Sequence, residues 1–527
     1  MRARFPFVPE ADWRYNTGVS LWRADVGAAC VALALLLLPA AGAAPGATSR
    51  MSVATNGTQA DGRSFVPAIS GDGRYIAFYS DASNLVDGDT NAARDVFVHD
   101  QQTGETTRVS VSGSGTEANG DSFAPSISAD GRYVAFSSFA SNLVAGDSNG
   151  ADDIFVRDRQ AGTTTRVSVA PGGADPNYGS VSPALSADGR YVAYASDASN
   201  LVAGDTNNLR DIFVYDRQTA TTSRVSIASD GTQADLESAT PVLNADGRYV
   251  AFSSFADNLI SGDLNEGSDI FVRDRFTNTT KRVSVYAGDV EAEGDALRPS
   301  ISSDGRYVAF DSDDWDLVWG DTNDVFDVFV HDNQTGYTTR VSVDDNGMQA
   351  DGASYRPSIS ADGRYIAFYT EAGNLVGGDT NGAQDVIVAD RLSGATKRVS
   401  VAGGGAEGNA DSVRPALSGD GKLVTFESDA SNLASGDTNG FTDIFLQDRV
   451  AAAPPPPKVV KCAVPRVIGM RLTNARKKIA KANCKVGRIR RPKVRARSRV
   501  GKVLSQSPRS GLKRPKGTKV NLSVGRR

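Results

Sequence analysis

The stretch Ile127-Ser128-Ala129-Asp130-Gly131-Arg132-Tyr133-Val134-Ala135-Phe136 is repeated in close copies along the chain. Its Asp-Gly pair separates two short apolar runs, and Asp-Gly tolerates the positive φ of a tight turn, so the stretch predicts a β-hairpin. A fixed period is typical of stacked or radial repeat arrays, because one unit cannot bury its apolar surface alone. The pair recurs every 58 residues without insertion or deletion, at Asp72, Asp130, Asp188, Asp246, Asp304, Asp362 and Asp420.

Each repeat contains four predicted strands, A to D. In the second unit, strands A and B flank the Asp-Gly turn, Asp153–Asp158 is strand C, and a turn at 160–162 leads to strand D at Thr165–Val169. No helical periodicity lies between them. Four-stranded meanders repeated radially form a β-propeller, whereas the alternative, an open solenoid, requires special capping units.

The ends of the repeat region predict a closed ring. The seventh unit stops after Asp443–Leu446 and lacks strand D, while Arg50–Val53 lies 58 residues before the matching Arg108–Val111. We therefore expect this N-terminal segment to pair as the outer strand of the last blade, which removes an open sheet edge. The predicted fold is all-β, a seven-bladed β-propeller over residues 50–449, with a small α+β domain after it.

The phrases Ile127–Ser138 and Asp153–Arg159 resemble the TolB-like propeller repeats of bacterial envelope proteins. The resemblance covers residues 50–449 and implies the propeller fold. It implies no single activity, because such propellers host enzymes, receptors and scaffolds.

Residues 1–47 are interpreted as a signal peptide and short leader. An uncharged stretch runs from Val26 to Ala44, and Ala41-Gly42-Ala43 has the small-x-small pattern of a signal-peptidase site. The alternative is an uncleaved membrane anchor, since the stretch approaches spanning length. A translation start further downstream is also compatible with the sequence. We expect a secreted, extracytoplasmic protein associated with the cell envelope, and not an integral membrane protein if the signal is cleaved.

The charge is divided unevenly along the chain. Of 57 Lys and Arg and 62 Asp and Glu, 24 basic and no acidic residues lie from Lys458 onward. The net charge of −5 therefore combines an acidic propeller with a basic C-terminal region. A proline-rich linker over 450–458, stiff in character, separates the two.

Residues 459–527 have the pattern of a small folded domain. Val464-Pro465-Arg466-Val467-Ile468-Gly469 predicts a strand and turn, Leu472, Ala475, Ile479 and Ala482 fall on one helical face, and strands follow at Gly501–Pro508 and Lys519–Val524. This order resembles the PASTA domain. The resemblance implies a module that binds peptidoglycan or contacts another envelope protein, although family members are not usually this basic.

Cys462 and Cys484 are the cysteines outside the predicted signal segment, and an exported protein favours a disulfide between them. Two free thiols or a metal site are the alternatives, and no further ligands lie nearby in sequence.

A polar trio repeats in the loop between strands B and C. Two carboxylates and one amide at this spacing suit calcium, which prefers oxygen ligands, while the alternative is an Asx-turn that bonds its own loop backbone. The candidate calcium ligands are Asp89, Asn91, Asp95; Asp147, Asn149, Asp153; Asp205, Asn207, Asp211; Asp263, Asn265, Asp269; Asp321, Asn323, Asp327; Asp379, Asn381, Asp385; and Asp437, Asn439, Asp443.

A second polar position precedes strand A and either completes a metal shell or caps the loop. Its residues are Asp61, Asn119, Asn177, Asp235, Glu293, Asp351 and Asn409. Trp315 and Trp319 interrupt the repeat in the fifth B–C loop, where they either stack on sugars or pack locally.

The sequence contains few residue combinations that are typical of an enzyme active site. The two histidines, His99 and His331, share one variable repeat position, which we expect to face solvent rather than to be catalytic. No G-x-S-x-G elbow or phosphate-cradling loop is present, and no catalytic residues are assigned.

A dense basic cluster precedes Gly501 and predicts binding to an anionic polymer. Nucleic acid is not expected, because no aromatic residue occurs from Lys458 onward. The cluster consists of Arg488, Arg490, Arg491, Lys493, Arg495, Arg497 and Arg499.

These observations favour a monomeric, non-catalytic envelope protein. The propeller would present a ligand- or protein-binding face, and the C-terminal domain would engage peptidoglycan or another anionic wall polymer. Two alternatives stay open: a calcium-dependent propeller hydrolase or lyase acting on envelope glycans, and a polyanion-binding protein dominated by its basic tail.

Overall fold

The computed structural model describes residues 46, 48–286, 290–449, 461–508, 510, 513–515 and 518–527. Up to Arg449 they form seven four-stranded antiparallel sheets, each with the spatial order A-B-C-D. The A strands are Ser64–Ile69, Ser122–Ile127, Ser180–Leu185, Ser238–Leu243, Ala296–Ile301, Ser354–Ile359 and Ser412–Leu417. The B strands are Tyr75–Ser80, Tyr133–Ser138, Tyr191–Ser196, Tyr249–Ser254, Tyr307–Ser312, Tyr365–Thr370 and Leu423–Ser428.

The outer half of each sheet contains strands C and D. The C strands are Asp95–Asp100, Asp153–Asp158, Asp211–Asp216, Asp269–Asp274, Asp327–Asp332, Asp385–Asp390 and Asp443–Asp448. The D strands are Glu105–Arg108, Thr163–Arg166, Thr221–Arg224, Thr279–Arg282, Tyr337–Arg340, Ala395–Arg398 and, for blade 7, Thr48–Arg50. The A strands of neighbouring blades contact one another and so surround the ring axis. A short pair, Val285–Tyr286 with Val290–Glu291, and a 3₁₀ turn at Pro171–Gly173 lie in loops.

The N-terminal strand closes the ring, as the repeat predicts. Thr48–Arg50 runs antiparallel to Asp443–Asp448, with Thr48 opposite Gln447 and Arg50 opposite Phe445. The pairing strand lies two residues before the predicted Arg50–Val53 segment. Blade 7 is therefore built from both ends of the repeat region, and its outer edge is covered.

Strand D differs from its predicted position. It ends at Arg166 in blade 2, whereas the sequence predicted Thr165–Val169. The ladder stops because Ile154 N donates to the side-chain Oγ of Ser168 at 2.9 Å instead of to a main-chain carbonyl. Strand D therefore ends at Arg166, and the Val-Ser pair after it lies outside the strand.

Each A strand contains a bulge at its third residue. In blade 2 the pairing register shifts between Phe123 and Ser126, and Ala124 has φ 49°. The bulge recurs in all seven blades and places one side chain per blade in a distinct position on the innermost strand. These residues are Val66, Ala124, Ser182, Thr240, Arg298, Arg356 and Arg414.

The Asp-Gly turn also packs one blade against the next. Gly131 has φ 71°, and a Cβ there would lie 2.0 Å from Cδ2 of Tyr75 in blade 1. The Arg159 guanidinium lies 4.5 Å from the centroid of the same ring and donates to Gly131 O at 2.7 Å. Glycine is needed at this turn because its φ is positive and because any side chain there would collide with Tyr75.

The apolar cores lie between blades. Val96 and Val98 of blade 1 pack with Val134 and Phe136 of blade 2. Phe78 and Phe97 of blade 1 pack with Ile444 and Leu446 of blade 7. Each blade therefore buries its faces against two neighbours, which is why the array requires closure.

The C-terminal domain has one helix, Leu472–Lys481, and two small sheets. Lys485–Arg490 pairs in parallel with Lys519–Val524, which pairs antiparallel with Val503–Ser507, and Lys461–Ala463 pairs with Lys513–Pro515. A 3₁₀ turn spans Arg497–Arg499. The predicted helical face packs inward: Ala475 and Ile479 are buried, and Leu472 and Ala482 pack against the same core.

The predicted disulfide is present in this domain. Cys462 and Cys484 are bonded, and their Cα atoms are 4.8 Å apart. The bond joins the first strand to the residue before Lys485–Arg490 and lies in the domain core.

The predicted signal segment, Val26 to Ala44, and the linker 450–458 lie outside the described residues. Within the described ranges, no helix combines the length and apolar character that crossing a membrane requires.

Candidate functional site

The repeated polar trio surrounds an arginine. In blade 2, Arg166 Nη1 lies 3.1 Å from Asp147 Oδ1 and 3.0 Å from Asp153 Oδ2. Its Nη2 contacts Asp175 in the loop that leads to blade 3. Asp153 is fully buried, and its Oδ1 accepts a hydrogen bond from Ser168 Oγ at 2.5 Å. The guanidinium is thus the counter-charge for two carboxylates that are removed from bulk water.

The amide of the trio organises the loop. Asn149 Oδ1 accepts a hydrogen bond from Ala151 N at 3.1 Å, which is the Asx-turn geometry. Its Nδ2 donates to Asp153 Oδ2 and to Pro176 O, both at 3.2 Å. One asparagine therefore joins its own loop, the buried carboxylate and the approach to the next blade.

The same arginine arrangement recurs in all seven blades, and Arg50 supplies the seventh guanidinium from the closing strand. Sequence reasoning missed this residue, although it lies 13 positions after the last aspartate of the trio in six units. The arginines are Arg50, Arg108, Arg166, Arg224, Arg282, Arg340 and Arg398.

These contacts do not test the calcium hypothesis, but they give the carboxylates of the trio a partner other than calcium. The two carboxylates of each trio face an arginine, which occupies the place between them. Among the described residues, no group of three or more His, Cys, Asp or Glu is arranged to hold a metal ion.

Burial has the largest effect on the pKa values of Asp89 and Asp147 in the loops. It raises the pKa of Asp89 and of Asp147 to about 6, and the neighbouring Asp95 and Asp153 add to the shift. Arg108 and Arg166 oppose it. Without the arginines, two adjacent buried carboxylates would be strongly unfavourable.

The second polar position caps the B–C loop of its own blade. Asn119 Oδ1 accepts from Ser141 N at 2.9 Å, and its Nδ2 donates to Ser141 Oγ at 3.0 Å. Asp61 accepts from Ser83 N at 2.7 Å in blade 1. These contacts match the capping alternative.

The expectation that the histidine position faces solvent was wrong. His99 and His331 are both buried, as is Arg273 at the same repeat position. His99 Nδ1 lies 2.9 Å from Thr106 Oγ1, and burial lowers the pKa of His99 to about 4.

The two tryptophans of blade 5 are exposed. The exposed fraction is 55% for Trp315 and 93% for Trp319. Local packing therefore leaves most of the Trp319 ring in contact with solvent. Sugar stacking by these rings stays a prediction.

The predicted basic cluster is displayed on the surface of the C-terminal domain. Arg488 and Arg490 are exposed on the edge strand Lys485–Arg490, and Arg491, Lys493, Arg495, Arg497 and Arg499 are exposed in the segment after it. No Asp or Glu occurs after Lys458, so the domain has no acidic side chain to neutralise them.

Gln506 of the C-terminal domain has a structural role. Gln506 Nε2 donates to Pro465 O at 2.9 Å, and its Oε1 accepts from Val467 N at 2.8 Å. The glutamine therefore holds the Val464–Gly469 segment against the sheet.

Comparison with known families identifies this domain. Residues 463–526 match the PASTA domain. The match leaves the propeller unassigned, and a search of curated proteins finds no match to the chain.

Solved structures similar to the chain include β-propellers of several kinds. TolB from Acinetobacter baumannii is 15% identical with a TM-score of 0.35, and the alignment covers 64% of this chain and 62% of TolB, less than two thirds of its length. An oligogalacturonate lyase in complex with manganese is 13% identical, with a TM-score of 0.46 and coverage of 78% and 95%. The β-propeller domain of the Trilobed protease from Pyrococcus furiosus is 11% identical, with a TM-score of 0.45 and coverage of 73% and 95%.

Proposed function

We propose that this protein is an exported envelope protein whose PASTA domain binds an anionic wall polymer while the propeller presents a second binding face. The observation that carries the proposal is the exposed basic segment from Arg488 to Arg499 on a domain without acidic residues. A surface that carries charge of one sign attracts polymers of the opposite charge and raises their local concentration. The match of residues 463–526 to the PASTA domain supports the proposal, because that resemblance implies a module that binds peptidoglycan.

The geometry of the segment favours a polymer as the ligand. Its basic side chains are exposed along an edge strand and along the chain after it. Repeated anionic groups along a polymer would neutralise several of them together, and each additional contact adds to the affinity. We therefore propose that the segment binds peptidoglycan or another anionic wall polymer.

Binding is favoured over catalysis for the propeller. Both histidines are buried beside threonine hydroxyls, and the carboxylates of the polar trios face arginines. These groups have structural partners already, so the loop face is better suited to hold a ligand than to activate water.

A sedimentation assay on purified cell wall tests the proposal. The full mature chain should bind, and its affinity should fall steeply with added salt because counterions compete for the same charges. The triple variant R490Q/R491Q/K493Q should bind about tenfold more weakly, since each lost charge removes one screened ionic contact.

The helix of the same domain offers a matched control. Arg476, Lys477 and Lys481 are exposed, so R476Q/K477Q/K481Q removes the same net charge from another surface. Retained binding by this control would support a segment-specific site. Equal loss in both variants would instead favour the polyanion-binding alternative, in which net charge alone matters.

A further inference from the structure

The bulge position on the innermost strands divides the ring into two halves. In blades 1 to 4 it is occupied by the neutral Val66, Ala124, Ser182 and Thr240. In blades 5 to 7 it is occupied by Arg298, Arg356 and Arg414. Three arginines on three successive inner strands therefore break the symmetry of an otherwise regular repeat.

Two of the arginines are held by acidic residues of their own blades. Arg298 contacts Asp311 on strand B of blade 5, and Arg414 Nη1 donates to Glu427 at 2.8 Å in blade 7. Glu427 also accepts from Val66 N at 2.7 Å, across the junction between the last and first blades. The arginine side chains are nevertheless about one third exposed, at 31% for Arg298 and 30% for Arg414.

Arg356 occupies the same bulge position in blade 6, between the blades of Arg298 and Arg414. Burial raises the pKa of Asp311 to about 6 and raises that of Glu427, and the charge of Arg356 opposes the shift in both. Three arginines and two buried acidic residues thus lie on the inner strands of blades 5 to 7. Oδ1 of the fully buried Asp311 accepts no hydrogen bond among the described residues.

These charges are not required to build a blade. Thr240 and Ser253 occupy in blade 4 the positions of Arg298 and Asp311, and their hydroxyls lie 2.9 Å apart. Blade 4 has the same strands and the same bulge as blade 5. A buried ion pair is costly relative to such a neutral pair, so its presence in blades 5 and 7 indicates a role beyond folding.

Aromatic rings adjoin Arg298. The rings of Phe326 and Tyr355 are 5.4 Å apart, as are those of Tyr355 and Tyr369, and the Arg298 guanidinium lies 5.7 Å from the Tyr355 centroid. Phe326 ends the B–C loop that also carries the exposed Trp315 and Trp319. Half-buried guanidinium groups beside aromatic faces suit a ligand with both a carboxylate and an apolar ring face.

We propose that Arg298, Arg356 and Arg414 form a binding site for a carboxylate-bearing sugar at the inner edge of blades 5 to 7. The carboxylate lies against the guanidinium groups, and the sugar ring lies towards Tyr355 and Tyr369. Asp311 and Glu427 are positioning residues, since they hold two of the arginines in place. The site belongs to the propeller and stands independently of wall binding by the PASTA domain.

Calorimetric titration of the full chain with paired sugars tests the site. N-acetylmuramic acid and N-acetylglucosamine differ by the lactyl carboxylate, and glucuronic acid and glucose differ by one carboxylate. Each acidic sugar should bind about tenfold more tightly than its neutral partner, the change expected for one charge-assisted contact. Acetate and inorganic phosphate serve as simple anions and should bind more weakly than the sugar acids.

Two variants probe the residues. R356Q removes the central charge, and R298T/D311S installs the pair that blade 4 already uses, so it should fold normally. Both should weaken binding of the sugar acids about tenfold with unchanged thermal unfolding. K422Q removes one charge from the turn face of blade 7 and should leave the affinity unchanged.

The results separate this site from the proposed function. R490Q/R491Q/K493Q should retain sugar-acid affinity even where it loses wall binding. The proposal is overturned if no sugar acid binds, if neutral sugars or simple anions bind equally well, or if R356Q and R298T/D311S bind as wild type does.

Discussion

Gly419 N donates a hydrogen bond of 2.9 Å to Gly71 O, and this contact joins the last blade to the first. Equivalent bonds connect the other A–B turns, from Ala129 N to Ala187 O at 2.9 Å and onward around the ring. The circuit is completed by Asp72 N, which donates to Ala129 O at 3.4 Å. The A–B turns are therefore joined by hydrogen bonds all around one face of the ring. A defect in ring closure should consequently affect every blade.

A chain that begins at Ala54 should be less stable and should aggregate. It lacks Thr48–Arg50, which exposes the edge of Asp443–Asp448 and leaves Asp437 and Asp443 without Arg50. Thermal unfolding and light scattering would measure both effects. Arg50→Gln keeps the strand and should lower stability without aggregation; equal behaviour of the truncated and full chains would contradict the role of closure.

Gly189→Ala should destabilise the propeller by about 2 to 4 kcal/mol, from strain at positive φ and from overpacking. Gly189 has φ 68°, and an added Cβ would lie 2.3 Å from Tyr133 Cδ2. Gly204→Ala is the matched control, because Gly204 has φ 78° but open space around it. Its cost should be about 1 kcal/mol by urea denaturation. Similar losses in both variants would mean that packing against Tyr133 is unimportant.

Arg166→Gln should cost about 3 to 5 kcal/mol of unfolding free energy, because it leaves buried carboxylates without their counter-charge. Arg166 contacts Asp147, Asp153 and Asp175. Arg63→Gln, which breaks an exposed pair with Asp81 at 3.4 Å, should cost less than about 1 kcal/mol. Chemical denaturation of both variants would check the difference, and a small loss for Arg166→Gln would contradict the structural role of the sevenfold arginine.

Calcium should not raise the unfolding temperature of the wild-type protein, because the arginine already lies between the carboxylates of each trio. Scanning calorimetry in calcium and in chelator measures this directly. A rise in calcium that chelator reverses would instead support the calcium hypothesis for the trio. Magnesium at equal ionic strength controls for general screening.

The Arg-Asp pairs beside the Asp-Gly turns should make the protein lose stability in acid. Hydrogen bonding to Arg190 lowers the pKa of Asp216 from 3.8 to about 2. A carboxyl group whose pKa is lower in the folded state stabilises the fold above its unfolded pKa, and this contribution disappears as the pH falls towards the folded value.

Asp216→Asn measures that contribution. The variant should be less stable than wild type at pH 6, and the difference should shrink between about pH 4 and pH 2. Denaturation curves collected across this range give the comparison. A difference that stays constant down to pH 2 would show that charge on Asp216 does not contribute.

Local sequence signals predicted the blades well. Asp-Gly turns and short apolar runs act over a few residues, so Tyr133–Ser138 and Asp153–Asp158 lie within one residue of their predicted positions. The end of strand D was misplaced because it depends on Ser168 bonding to Ile154, a side-chain contact between residues 14 apart. The burial of His99 was missed because substitution among the repeats was taken as evidence of exposure.

The candidate sites depend on longer-range contacts. The repeat identified the trio in every loop, but it did not indicate that Arg166 lies between Asp147 and Asp153. The arginines on the inner strands are separated by whole repeats in sequence, and only the ring brings Arg298, Arg356 and Arg414 into one part of the channel.

From the amino-acid sequence alone came the 58-residue period, the ring closed by the N-terminal strand and the basic C-terminal domain, because turn chemistry, strand patterns and charge are local properties. The packing of the blades determined which groups contact the buried charges. It also brought the three arginines of the inner strands together on one side of the ring. Those features arise between residues tens to hundreds of positions apart, as in the bond from Val66 to Glu427, and no local pattern encodes them.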